Sequence, residues 1–299
     1  FRDEGKIVLA PEIRIVRETP TTAVIDGGFG LGHVPGKRAM RLAIAKAKMV
    51  GIGAVAVRAS NHYGAAGAYA MMAAEEGLIG ISTTAVHTPS VVPLWGADPA
   101  FGTNPIAFAA PARRNKPFLL DMATSTAAIG KLKLAQLAGR KVPEGWAVDA
   151  AGRPVTDPET ALRDRRLVAL GGTRELGGHK GYGLAMMVEI LSSTLPGAQF
   201  ALLRMARDPG AKHADVGHFF LAMDPAAFRP AGEFEAELDE MIDALRATRP
   251  ADPKRPVLVP GDPEHQERAR RLADGIPIPE KLRQALNDIA RRSSAEAML

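Results

Sequence analysis

One transition constrains the fold of this chain more than any other. The β-favouring run Gly53-Ala54-Val55-Ala56-Val57 passes within a few residues into a run rich in Ala and Met that contains no proline. The first favours a strand. The second, over residues 65–76, favours a helix stopped by Gly77. Ser60-Asn61-His62-Tyr63-Gly64 stands between them, so His62 is expected beyond the carboxyl end of a strand and beside the first turn of a helix. In α/β folds that crevice is where ligands bind. The positive end of the helix dipole disfavours imidazolium, which leaves a neutral ring able to accept a proton. A buried structural histidine fits the same local pattern, and the pattern alone does not choose between them.

Strand and helix signals alternate along the rest of the chain. Residues 7–16 and 22–26 read as extended, and Pro35 opens a helix over 35–50 with Ala39, Leu42, Ala43, Ala47 and Val50 on one face. Residues 78–86 form another apolar strand. The proline-rich stretch 89–111 reads as an ordered loop with a strand piece at 106–109, and 117–121 as a buried-type strand. Thr124 or Ser125 is then placed to cap a helix reaching about Ala138. Residues 139–166 are turn-rich, and glycine-dense residues 171–183 feed a helix over 184–195. A strand at 216–223, an amphipathic helix at 232–248 and two short charged helices complete the chain.

With 299 residues, 46% of them hydrophobic and 24% charged, there is ample material for a core. The net charge of +5 is scattered and favours an anionic small ligand no more than it favours solubility. An aromatic content of 5% without a basic-aromatic module argues against nucleic-acid binding. No signal-like apolar region opens the chain, and no run approaches the roughly 18 apolar residues that span a bilayer. Cysteine is absent, which removes disulfides, thiolate nucleophiles and Cys-ligated metals and fits a reducing compartment, the cytoplasm.

Several motifs invite chemistry. Gly27-Gly28-Phe29-Gly30-Leu31-Gly32 lacks the third glycine of a dinucleotide loop and reads as a flexible connection. Two other junctions suit phosphate better. At Asp121-Met122-Ala123-Thr124-Ser125 a new helix would present N–H groups beside hydroxyls. Around Gly177, Gly178, Gly181 and Gly183 the backbone could approach an anion, with Lys180 as a point charge. Gly181 after Lys180 rules out a Walker loop, and glycine turns with a solvated lysine are the plain alternative. Of His33, His62, His87, His179, His213, His218 and His265, only His213 and His218 form a close pair. With no H-E-x-x-H, no metal is expected. No G-x-S-x-G elbow supports a serine hydrolase.

In order along the chain stand Ser60-Asn61-His62-Tyr63-Gly64, Gly102-Thr103-Asn104-Pro105, Asp121-Met122-Ala123-Thr124-Ser125, Gly178-His179-Lys180-Gly181-Tyr182-Gly183-Leu184 and Asp215-Val216-Gly217-His218-Phe219. Together they resemble the malate/L-lactate dehydrogenase family. This is the non-Rossmann group that includes ureidoglycolate and sulfolactate dehydrogenases and piperideine-2-carboxylate reductase. The resemblance implies an α/β, two-lobed, non-Rossmann fold with mixed sheets. Residues 1–77 and 215–299 would form a catalytic and dimerising lobe, and 78–214 a nucleotide lobe. It implies a homodimer using NAD or NADP to move a hydride between nicotinamide and C2 of a small 2-hydroxy or 2-keto acid. His62 matches the family's catalytic histidine, which takes and returns the hydroxyl proton, and Asn61 beside it is expected to face the substrate. Asp121, Met122, Ala123, Thr124 and Ser125 match the stretch lining the nucleotide. Lys180 and Gly181 match the glycine-rich motif near the cofactor, and Gly261 and Asp262 resemble a late loop near it.

Family members also carry, ahead of the residue matching Phe1, a segment with Ser-His-Gly, Arg and Tyr that helps bind the substrate carboxylate. Ala85-Val86 stands where the family often has Thr-Asn. These two departures motivate one alternative, a catalytically impaired nucleotide-binding paralogue or fragment. A cyclic imine-2-carboxylate reductase is the other. Arg163, Arg165, Arg166 and Arg174 are expected on a solvated loop.

Overall fold

The strand expected around Val55 runs Ile52–Ser60 (β3) in a computed structural model that describes residues 5–86 and 88–292. It lies inside a seven-stranded mixed sheet with β1 (Arg14–Glu18), β2 (Thr22–Asp26), β4 (Ile79–Thr84), β5 (Ile106–Ala110), β6 (Phe118–Met122) and β9 (Val216–Met223), in the order β1-β2-β3-β9-β4-β5-β6. Only β2 and β3 pair in parallel, joined by helix α1 (His33–Val50); the other neighbours run antiparallel. The late strand β9 is inserted between β3 and β4, so that His218 faces Val57 on one side and Thr84 on the other.

Helices α1 and α2 (Gly67–Ala74) cover one face of the sheet. Their small residues allow close approach: a Cβ on Gly53 would stand 2.2 Å from the carbonyl oxygen of Ala43 in α1, so β3 tolerates only hydrogen there. Ile25, Met40, Val55, Val57 and Phe220 are sealed in this core with Ala43, Ala70 and Ala73. Each such large side chain contributes about 1.5–3 kcal/mol through burial. A second core holds Val91, Phe101, Leu132, Val142, Leu167 and Ala185. It is built on α3 (Ile129–Leu137), α4 (Pro158–Asp164), α5 (Gly178–Glu189) and the short strands β7 (Ala147–Val148) and β8 (Pro154–Val155). A single π-helical turn, Ile190–Thr194, continues α5 and packs on β9 with Ser192 and Ser193 buried. After α6 (Ala201–Arg207) and β9 come α7 (Glu233–Arg246), α8 (Asp262–Asp274) and α9 (Glu280–Arg292).

Four local expectations are corrected. The first strand is Arg14–Glu18, not residues 7–16. Residues 27–32 are not a flexible connection: Gly27 and Phe29 donate to the carbonyls of Arg58 and Ala59, and Gly32 donates to that of His62. Neither Thr124 nor Ser125 caps a helix. Their hydroxyls donate inward, to Asn104 O at 3.0 Å and Ala127 O at 2.8 Å, and α3 begins only at Ile129. Finally, the glycine motif does not precede its helix. Gly178 to Gly183 form the first turns of α5, because Gly177 supplies the left-handed φ of +95° from which the helix starts.

Candidate active site

His62 follows β3 by two residues and is exposed, while Asn61 and Tyr63 on either side are buried. The Asn61 amide nitrogen donates to Phe29 O at 2.9 Å and Gly30 O at 3.2 Å, which ties the 27–32 turn to the histidine's own backbone. On the other side the Tyr69 hydroxyl donates to the Tyr63 carbonyl. The ring of Tyr63 lies between those of Tyr69 and His218, with centroids 4.7 Å and 4.5 Å away. The backbone of His62 is thereby fixed from both sides. Its ring takes one local contact, the Gly64 N–H donating to Nδ1 at 3.1 Å. A neutral ring so bonded carries its hydrogen on Nε2, the nitrogen left for a ligand.

Beneath it His218 is fully buried. Thr84 Oγ1 donates to Gly217 O at 3.1 Å, so it accepts from His218 Nδ1–H at 2.7 Å, and His218 Nε2 accepts from the Ser60 hydroxyl at 2.9 Å. Burial pushes this imidazole down to about 3, so it is a neutral bridge across three strand ends. Gly217 lets the π-helical turn close this floor, since a Cβ there would stand 1.7 Å from Ser192 O. Sequence reasoning missed the Ser60, Thr84 and His218 assembly. Its only signal was three polar residues set at the ends of apolar strands.

A cavity of about 320 Å³ opens above this floor, lined among others by Asn61, His62, Thr84, Val86, Thr103 and Val216. Val86 presents an apolar side chain to it while its N–H donates to the buried Asn104 side chain at 3.1 Å. Asn104 in turn donates to Glu189 Oε2 at 2.9 Å, and loss of water raises the Glu189 carboxyl above the ordinary range.

Of the residues expected at a nucleotide, none lines this cavity, and Thr124 is joined to it through the lining residue Thr103. Thr124 reaches the Thr103 wall through its N–H, donating to Thr103 O at 2.9 Å. Asp121 Oδ2 accepts from Gly67 N–H, at the start of α2, at 2.8 Å, and burial raises its carboxyl. Met122 and Ala123 are half-buried at the end of β6. From Thr124 the contacts run to Leu170, whose N–H it accepts at 2.9 Å, and Gly181 packs against the backbone of Leu170. Lys180 is exposed on the first turn of α5. Gly261 packs on Leu119 of β6. The Asp262 carboxylate accepts from Arg246 Nη2 at 2.5 Å and from Val259 N–H at 2.9 Å, and Arg246 holds it below the usual range. The expected solvated arginines are partly engaged: Arg163 and Arg166 pair with Asp164. No group of three or more His, Asp or Glu among the described residues is placed to hold a metal, and no described helix is long and apolar enough to cross a membrane. His87 lies outside the described residues.

Comparison with known proteins gives the arrangement its context. The profile of the family described as malate/L-lactate dehydrogenase matches residues 2–287. A malate dehydrogenase of Pyrococcus horikoshii is 45% identical over 295 residues, 98% of this chain and 81% of that protein. A Delta(1)-pyrroline-2-carboxylate/Delta(1)-piperideine-2-carboxylate reductase of Pseudomonas putida is 36% identical over 270 residues, 89% of this chain and 74% of that protein. Among solved structures, malate dehydrogenase from Entamoeba histolytica superposes with a TM-score of 0.94 at 33% identity, covering 100% of this chain and 84% of that one. Sequence and fold agree across both cores, and the chain belongs to the malate/L-lactate dehydrogenase family.

Proposed function

We propose that the protein is an NAD(P)-dependent oxidoreductase acting at C2 of a small 2-hydroxy or 2-keto acid, with His62 as its acid and base. The observation that carries this reading is an exposed imidazole, its backbone held at a strand end, lining a cavity whose Thr103 wall is hydrogen-bonded to Thr124. A bound nicotinamide supplies the hydride acceptor in oxidation and the donor in reduction. As the C2–H bond breaks and the C2–O double bond forms, the hydroxyl proton passes to His62. Nε2 can take it only when the ring's hydrogen sits on Nδ1, so the Gly64 N–H contact has to be released before the ring takes the proton. Ser60 and Thr84 hold the buried His218 floor in place, and Asn61 holds the 27–32 turn against the backbone of His62.

The cavity fits such a cofactor in one respect that can be read from its walls. Thr103 joins it directly to the 121–125 stretch, and we assign Asp121, Met122, Ala123, Thr124 and Ser125 to the nicotinamide side. Thr124 and Ser125 act there through backbone, since their hydroxyls point inward. Lys180 and Gly181, with Gly261 and Asp262, are assigned to the remainder of the nucleotide. The second core supports a middle, nucleotide-binding lobe within 78–214, flanked by 1–77 and 215–299. Exposed Leu272, Leu282 and Ile289 on α8 and α9 support a homodimer, and the lack of cysteine supports a cytoplasmic location. The named reductase among its relatives keeps reduction of a cyclic imine-2-carboxylate as the second reading; the apolar Val86, Pro105 and Val216 walls suit a ring.

Fluorescence titration with NADH and NADPH, followed by a panel of 2-keto acids and cyclic imine-2-carboxylates read at the nicotinamide absorbance band, tests the assignment. Saturable binding and consumption of at least one 2-keto acid are expected. Turnover of the imines alone would replace it with the second reading.

A further inference from the structure

The cavity has an end that proton transfer at His62 does not use. It is closed by residues 211–214 and by the chain around Lys6. The Asp215 carboxylate fixes the 211–214 strap, accepting from Ala59 N–H at 2.9 Å and from Gln199 N–H at 3.2 Å. The His213 ring stacks on Phe29 with centroids 5.0 Å apart, and its Nδ1 donates to Lys6 O at 3.3 Å. Phe29 O is the same carbonyl that Asn61 holds beside His62. The strap is therefore registered to the reactive imidazole by a short series of named contacts.

That registration brings the exposed Lys212 to the cavity wall, with its ammonium end beside Gly5. Lys212 forms no ion pair with the described residues, and no carboxylate lines the cavity among them. Asp208 and Asp215 line, with Arg204, an adjoining groove that shares Thr88 and Ala211 with the cavity. We propose that Lys212 is a specificity-determining cation, which makes the preferred substrate a dianionic 2-hydroxy acid, one with a second anionic group beyond its C1 carboxylate. A solvated ammonium on a half-enclosed wall gains little from a methyl group and a charge-assisted hydrogen bond from a carboxylate or sulfonate. Apart from Lys6, no other Lys, Arg, Asp or Glu among the described residues lines the cavity, so Lys212 discriminates by attraction to the far end of the substrate.

This rests on the dehydrogenase reading, and the test separates the two. The ratio of kcat/KM for malate to that for lactate is measured in the wild type, Lys212→Met and Lys212→Arg. The Met variant is expected to lower the ratio by about ten-fold, chiefly through KM for malate, the worth of one charge-assisted hydrogen bond. The Arg variant is expected to keep most of it. An unchanged ratio in Lys212→Met overturns the proposal. If the wild type turns over neither acid with NAD or NADP, the dehydrogenase reading fails. Thermal shift then decides on Lys212: malate should raise Tm more than lactate does, and Lys212→Met should abolish the difference. Equal shifts in the wild type, or a difference that survives in Lys212→Met, overturn the proposal as well.

Discussion

Two histidines of this site, one just past β3 and one within β9, have been given opposite chemistry by their surroundings. His62 is open to a cavity and keeps one nitrogen uncommitted; His218 is sealed, stacked on Tyr63 and satisfied by a hydroxyl at each nitrogen. The same side chain is the proposed proton carrier in the first place and a structural bridge in the second. What separates them is access to water and the number of hydrogen-bond partners, both set by neighbouring strands. The buried ring also holds the open one in position, because Ser60 and Tyr63, which bracket Asn61 and His62, both touch His218.

The comparison breaks most sharply at the open ring. His62→Ala is expected to lower kcat by about 10²-fold or more, the usual contribution of a positioned acid and base, while its exposed position leaves the unfolding midpoint close to wild type. Steady-state rates at saturating cofactor decide it, and unchanged turnover would remove His62 from the mechanism.

At the sealed ring the loss should appear in stability instead. His218→Ala empties a close-packed site and leaves the Ser60 and Thr84 hydroxyls without their shared partner. About 3 kcal/mol of unfolding free energy is expected to go, measured by urea titration. The ring also carries a pH signature. The unfolded chain binds a proton at this histidine near 6.5 and the folded protein only near 3. Between those values the unfolded state holds more protons, so folded stability declines as pH falls, by up to about 1.4 kcal/mol per unit. A His218→Gln variant should flatten that part of the curve. A slope identical to wild type would mean that the buried ring takes up its proton at the ordinary pH.

How far the sequence disclosed this division can be judged residue by residue. The passage from apolar strand to small-residue helix located His62 just past its strand, because that signal is local, although α2 begins only at Gly67 and ends at Ala74. The strand Val216–Met223 was legible as a strand. Its insertion between β3 and β4 was not, since pairing of residues far apart in sequence leaves no short-range pattern. That insertion creates the whole His218 network. Capping failed at Thr124 and Ser125 for a related reason. Both hydroxyls suited a helix start by type, but carbonyls from distant or irregular backbone claimed them first. The partners of Asp262 were equally illegible: its carboxylate is engaged by Arg246 and the Val259 N–H, both set by tertiary packing. The order of the family motifs survived these local errors because it depends on the chain's sequence and not on where each hydrogen bond ends.

The smallest expected effect gives the sharpest contrast with the sealed imidazole, because its sign is reversed. Burial lifts the Asp121 carboxyl above its ordinary 3.8, against a lowering from the Gly67 N–H. The folded protein then keeps this proton to higher pH than the unfolded chain does. The resulting stabilisation is fully present below 3.8 and is lost as pH rises through the raised value. Asp121→Asn keeps an acceptor for Gly67 and removes the titration, so the wild type's advantage over the variant should shrink as pH rises and then level off. Water still reaches the carboxyl, which holds the change to about 1 kcal/mol or less. Unfolding free energies of the pair across acid to neutral pH would show it. An advantage that grew with pH, as for His218, would mean that attraction of the charged carboxylate to the start of α2 outweighs its loss of water.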